Sequence, residues 1–189
     1  MDPTRTRLIH AMRDALQRRG LHGVGLNEIL ATAQAPKGVL YHHFPGGKTA
    51  LAVAAIEDSA AEMGAALDAL MQHEPDPALA LQAWVKGALK RLQGSGFERG
   101  CPLATVALES TADDAALRDA LQQAFARLRG HIAAALVRVG HAPAAAESLA
   151  ALVIAAYEGG LLQARVAQDL APLRLAMQPL LPLLKKPTP

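Results

Sequence analysis

Cysteine is almost missing from this chain of 189 residues: there is one, Cys101. A lone cysteine excludes an intrachain disulfide and a Cys-rich zinc site. Apolar neighbours follow it, with no adjacent lysine or histidine, as expected of a buried structural thiol. Aromatic residues are nearly as scarce, six in all: Tyr41, Phe44, Trp84, Phe97, Phe125 and Tyr157. Valine and isoleucine together number only fourteen. Strands draw on β-branched and aromatic residues, so an all-β domain is excluded. Serine is also rare, at four, and there is no His-Glu-x-x-His run and no Gly-rich phosphate loop. Glu109 and Glu158 have no evident acid–base partner in the sequence, so an enzyme is not expected. The longest unbroken apolar run, Leu149 to Tyr157, is nine residues, against the roughly 20 that span a bilayer. The first residues carry charge without a following apolar stretch, as a secretory signal would require. A cytoplasmic location without a membrane partner is the expectation.

What the chain has in abundance is alanine, 41 residues, and leucine, 30. Both are strong helix formers, which argues for an all-α fold with a sizeable core. Charge is spread unevenly. Residues 1–50 hold seven lysines and arginines against three acids, together with four of the seven histidines. The remaining residues carry a slight acidic excess. A basic head on an acidic body points to a polyanion partner, most often nucleic acid.

Apolar spacing and breakers divide the chain into about nine helices. The first runs to about Arg19, capped by Thr4 or Thr6, with Leu8, Ile9, Met12, Ala15 and Leu16 on one face and Gly20 as its stop. A short second helix covers about Leu26 to Ala33. Gln34-Ala35 makes a tight connection, and Pro36 opens a third helix that ends at about His43, before Pro45-Gly46-Gly47. Longer helices follow at about 48–71, 78–92, 102–110, 113–139 and 144–168, with Thr111 to Asp114 capping the helix of the stripe Leu117, Leu121, Phe125, Leu128, Ile132, Leu136 and Val139. A last helix starts near Leu170, limited by Pro179 and Pro182, and residues 185–189 read as a frayed tail.

The first three helices have helix-turn-helix spacing. In the third, Leu40 and Phe44 lie four apart and face inward, which leaves Lys37, Gly38, Tyr41 and His42 on the other side. Such a helix can enter a major groove, where side chains reach base edges. Gly38 permits close backbone approach, and Tyr41 can offer its hydroxyl to a phosphate. Lys48 and the amides after Gly46-Gly47 can hold another phosphate at a helix N-terminus. His42 and His43 point about 100° apart as helix neighbours and cannot readily share an ion, so no metal and no cofactor are expected. His42 faces DNA, and His43 supports the fold or a phosphate.

The run Lys37-Gly-Val-Leu-Tyr-His-His-Phe-Pro-Gly-Gly-Lys-Thr-Ala-Leu51 resembles the TetR family of transcriptional regulators. Gly100-Cys-Pro-Leu-Ala-Thr-Val-Ala-Leu-Glu109 and Tyr157-Glu-Gly-Gly-Leu-Leu-Gln-Ala-Arg165 are similar to the LmrA/YxaF-like branch. The resemblance implies a helix-turn-helix DNA-binding domain over 2–62, with the motif at about 25–44, and a ligand-binding and dimerisation domain over 63–189. It implies DNA contacts by Asn27, Pro36, Lys37, Gly38, Tyr41, His42, His43 and Lys48. It also implies an effector cavity in the body, with Met63, Leu67, Trp84, Phe97, Val106, Leu121, Phe125 and Tyr157 as its candidate lining. Few charges fall on these faces, so the effector is expected to be apolar or aromatic.

Gly159-Gly160 interrupts a helix that is apolar around most of its circumference, which lets a second helix approach closely. Leu149, Leu152, Val153, Ala156, Gly159 and Gly160 are the candidate dimer face. The function expected is a homodimeric repressor released from a palindromic operator by a small molecule. Gln34 stands where the family has glycine, and Gly25 replaces a capping hydroxyl residue whose phosphate contact Asn27 can take over. These departures support the alternative, a helical small-molecule binder with a weakened DNA-binding head.

Overall fold

The computed structural model describes residues 2–185, and the described residues form nine α-helices and no strand. They are α1 (Pro3–Arg19), α2 (Leu26–Ala33), α3 (Lys37–His43), α4 (Gly47–His73), α5 (Pro77–Gly94), α6 (Pro102–Glu109), α7 (Ala115–Arg138), α8 (Pro143–Ala167) and α9 (Ala171–Met177). A 3-10 segment, Gln178–Leu184, follows α9 without a break and carries Pro182 inside it. The two prolines therefore convert the helix to tighter turns rather than ending it. Of the expected frayed tail, residues 186–189 lie outside the described residues.

Two helix starts differ from expectation. The α1 cap is Asp2, whose carboxylate accepts from the Thr4 amide at 2.7 Å and the Arg5 amide at 3.3 Å. Those hydrogen bonds favour the charged form and lower the Asp2 pKa. Thr6 instead donates its hydroxyl to the Asp2 carbonyl. Helix α3 begins at Lys37, with Pro36 outside it as the N-cap in extended conformation. Proline before the first turn fixes φ and gives up an amide that would have no intrahelical partner anyway.

The chain divides into two compact units, 1–60 with 101–124, and 61–100 with 125–189. Neither is contiguous, unlike the expected segments 2–62 and 63–189: α6 and the first part of α7 cluster with the three N-terminal helices. The interior of the first unit is built from Leu8, Met12 and Leu16 of α1, Ile29 of α2, Leu40 of α3, Leu51 and Ile56 of α4, and Leu103 and Val106 of α6. Ser59, its one buried residue outside the apolar set, donates its hydroxyl to the Ala55 carbonyl one turn back.

In the second unit, α8 is the central feature. By length and composition it could cross a membrane, yet 39% of its most apolar window is buried inside the protein. One face, with Val153, Ile154, Tyr157, Gly160 and Leu161, is buried. Gly160 is what admits α9: a Cβ there would sit 2.9 Å from the Leu173 Cα and 3.1 Å from the Ala176 Cβ. Backbone cannot step aside as a side-chain end can, so the close packing of α8 on α9 needs glycine.

Helical glycines should therefore differ in what they tolerate. Gly160→Ala is expected to destabilise the fold by about 1–3 kcal/mol through overpacking. Gly130→Ala, on α7 with nothing within 4 Å of its would-be Cβ, should gain up to about 1 kcal/mol of helix propensity. Urea denaturation midpoints check both; equal midpoints would contradict the packing role of Gly160.

Candidate nucleic-acid interface

The turn between α2 and α3 is set by one residue in an uncommon conformation. Gln34 adopts φ 49°, ψ 48°, in the left-handed region. Its amide donates to the Ala31 carbonyl at 3.1 Å, and the Ala35 amide reaches back to Leu30 at 3.0 Å. These bonds close the helix end as a glycine would. The cost of the non-glycine conformation is about 1 kcal/mol, which they help to offset. Ala35 is buried, and the chain leaves the turn aimed into α3.

Helix α3 is held from within by Leu40 and Phe44, both buried. The Arg5 guanidinium lies 5.3 Å from the centre of the Phe44 ring, and Arg7 Nε donates to the Ala33 carbonyl at 3.0 Å. Both contacts tie α1 to the helix-turn-helix. Lys37, Gly38, Tyr41 and His42 are exposed together, as are Pro36 and Asn27 at neighbouring helix starts. A Cβ on Gly38 would meet nothing within 4 Å, so the fold itself does not require glycine there. Tyr41 is 44% exposed, with its ring edge over Gly47, whose Cβ would lie 3.4 Å from Tyr41 Cε1. Gly47 has φ +63° and donates its amide to the Phe44 carbonyl at 2.8 Å, so it turns the chain into α4 and seats the tyrosine. His43 is half-buried, with Nε2 3.7 Å from an Asp2 carboxylate oxygen.

Lys48 has contacts of its own within the chain. Its ammonium is turned inward and donates to the Leu21 and Val24 carbonyls, both at 2.6 Å. Partial burial lowers its pKa, and the Glu109 charge opposes that shift. Two of its three N–H donors thus hold the segment between α1 and α2.

Glu109 completes that arrangement and was not legible as a site residue. From the end of α6 its carboxylate accepts the Leu21 amide at 2.6 Å and the His22 amide at 3.4 Å. Gly20, at φ +75°, lies under it, and a Cβ there would overlap the carboxylate. Residues 88 apart in sequence thus share one contact. The surviving signal was the positive-φ requirement at Gly20, which marks a special backbone position but names no partner.

The candidate effector residues are divided. Val106 and Leu121 belong to the interior of the first unit, while the other six lie in the second. Of these, Trp84 and Tyr157 meet, ring centres 4.3 Å apart at 38°. Leu67 is buried, and Met63, Phe97 and Phe125 are half-buried. Phe97 has φ 64°, a strained conformation for an aromatic residue.

The candidate dimer face is also divided. Val153 and Gly160 turn into their own unit, so they are removed from that face. Leu149, Ala156 and Gly159 are half-buried and Leu152 is 46% exposed. Leu162 (49%) and Val166 (79%) continue the same outer stripe and were missed in the sequence reading.

Residues 8–55 match the family model described as bacterial regulatory proteins, tetR family. Residues 77–178 match the model of the C-terminal domain of LmrA/YxaF-like transcriptional regulators. The chain is 28% identical to the HTH-type transcriptional regulator YxaF of Bacillus subtilis, covering 97% of this chain and 96% of that one. It is 30% identical to the HTH-type transcriptional regulator LmrA of the same organism, covering 90% of each. The crystal structure of a regulatory protein TetR from Rhodobacter sphaeroides superposes with a TM-score of 0.82 at 25% identity, over 94% of this chain and 96% of that one.

The contact of Glu109 with Gly20 predicts a coupled pair. Gly20→Ala is expected to cost more than the roughly 1–3 kcal/mol of its backbone strain, because its methyl displaces the carboxylate. In the Glu109→Ala background that excess should vanish. A double-mutant cycle of unfolding free energies checks this; additivity within about 0.5 kcal/mol would contradict the contact.

Proposed function

The chain belongs to the TetR family of bacterial regulatory proteins, with an LmrA/YxaF-like C-terminal domain, and we propose that this DNA-binding transcriptional regulator is a homodimeric repressor released from its operator by a small apolar or aromatic molecule. The observation that carries the DNA side is the face of α3: Lys37, Gly38, Tyr41 and His42 stand exposed on a helix fixed from behind by Leu40 and Phe44. Lys37 and His42 reach base edges, and Tyr41 binds phosphate. Gly38 is small for the DNA, since nothing in the protein lies near its missing side chain.

The alternative, a weakened head, rested on Gln34 and Gly25. Gln34 keeps a closed turn despite lacking glycine's freedom, and Gly25 still stands as the N-cap of α2 in extended conformation. Both features favour a competent head. A regulatory rather than catalytic role, in the cytoplasm, follows from this reading.

The outer stripe of α8, Leu152, Ala156, Gly159, Leu162 and Val166, is apolar at helical spacing, exposed at Leu152, Leu162 and Val166 and half-buried at Ala156 and Gly159. A second copy would bury it through a two-fold axis, setting two α3 helices about 34 Å apart on a pseudo-palindrome. Effector binding shifts the dimer toward a state whose spacing no longer fits. Covalent continuity gives this shift a route, because α4 and α7 each begin in the first unit and end in the second.

Fluorescence anisotropy with the DNA upstream of the protein's own gene tests the DNA side. Binding should weaken steeply as salt rises, and Lys37→Ala and Tyr41→Ala should each cost about tenfold in affinity. Failure to bind any pseudo-palindrome at low salt would overturn it in favour of the small-molecule binder. For the dimer, Leu152→Glu should move the protein toward monomer in sedimentation and reduce operator affinity; an unchanged dimer would remove α8 from the interface.

A further inference from the structure

The effector's chemistry can be narrowed by a single atom. Trp84, on α5, is 3% exposed, and its Nε1 is fully enclosed with no hydrogen-bond partner among the described residues. An indole N–H can only donate, and enclosing it without an acceptor carries a free-energy cost that phenylalanine at the same place would avoid. Trp84 is set in an apolar stretch of α5. Its neighbours on α5, including Leu81, Val85 and Ala88, are buried aliphatic side chains. The main-chain carbonyls of a helix interior are already engaged along the helix.

The geometry also separates two kinds of contact. Tyr157 covers a face of the indole, with ring centres 4.3 Å apart. The N–H lies in the plane of the ring, so an acceptor approaches at the edge while the ring face stays packed. A charged acceptor would have to give up its hydration to reach this enclosed edge, a cost that an uncharged oxygen largely avoids.

We propose that the effector presents an uncharged hydrogen-bond acceptor, a carbonyl, quinone or ether oxygen, to Trp84 Nε1, with its apolar body against the Trp84–Tyr157 pair. This rests on the reading of the second unit as the effector-binding part. It goes further by making a hydrocarbon of the same shape a poor ligand. Specificity is strongest where a ligand satisfies a buried polar group that its analogue leaves unpaired.

Trp84 is the only tryptophan, so isotope-labelled full-length protein gives a single indole N–H resonance. Two probes of nearly equal shape are acetophenone and α-methylstyrene, in which a methylene replaces the carbonyl oxygen. Acetophenone should bind about tenfold more tightly by calorimetry and move the indole proton downfield. α-Methylstyrene should leave that proton close to its free position. Trp84→Phe should erase the preference; because the comparison in the unaltered protein needs no variant, a misfolded Trp84→Phe does not blunt the test. Equal affinities, or bound acetophenone with an unmoved indole proton, would overturn the acceptor assignment while leaving the effector-binding reading standing. Binding of neither probe would overturn both.

Discussion

The segment between α1 and α2 is gripped from two sides, and the placement of the helix-turn-helix depends on that grip. Lys48 of α4 holds the Leu21 and Val24 carbonyls, and Glu109 of α6 holds the Leu21 and His22 amides. A loop would otherwise present these groups to water, and the orientation of α2 would follow its fluctuations. Charged groups hydrogen-bonded to backbone make stronger links than neutral ones. The lysine is partly desolvated, which weakens its hold on the proton, but the carboxylate nearby acts in the opposite direction. The two charges thus stabilise each other as well as the loop. Gly20 is the steric condition for this arrangement, since the carboxylate occupies the space a side chain would need.

This grip also explains how far sequence reasoning could go. Helix existence was legible because breakers and apolar spacing are local: Gly20, Gln34 and the Pro45-Gly46-Gly47 run stand at real ends of helices. The inward Leu40 and Phe44, and the exposed residues between them, followed from the period of a helix alone. Capping was less legible. Asp2 and Thr4 are both good caps, and choosing between them requires knowing where the first turn begins. The loop contacts of Lys48 were not legible because a lysine at a helix start is equally suited to a phosphate and to a loop carbonyl; only the position of residues 21 and 24 reveals them. Glu109 was beyond reach, because no pattern in either segment announces a contact between residues 88 apart.

Helix α8 shows the same limit in another form. Its sequence is apolar nearly all round, so periodicity could state that it has two buried faces but not which residue belongs to which. The adjacent glycines resolve this. Gly160 lies against Leu173 and Ala176, while Gly159 has nothing within 4 Å of its would-be Cβ. One glycine therefore serves packing within the chain, and the other leaves a shallow place on the outer stripe. The assignment of Val153 and Gly160 to a dimer face failed because neighbours in sequence are a third of a turn apart, enough to exchange inside for outside.

The scarcity of aromatic residues gains physical meaning from these placements. Alanine-rich helices approach closely and bury little area each, so a large ring among them disturbs the packing unless it has a specific seat. Tyr41 has one over Gly47, where the missing side chain makes room, and its hydroxyl end stays at the surface. Phe44 has one under the Arg5 guanidinium, which joins the start of α1 to the end of α3. Trp84 and Tyr157 seat each other across α5 and α8. Trp84 differs in one respect: its donor is enclosed and has no hydrogen-bond partner among the described residues. Phenylalanine there would remove the unmet hydrogen bond at the cost of the space the second ring fills. On the proposed reading the effector supplies the missing acceptor, which ties the one tryptophan of the second unit to function rather than to stability.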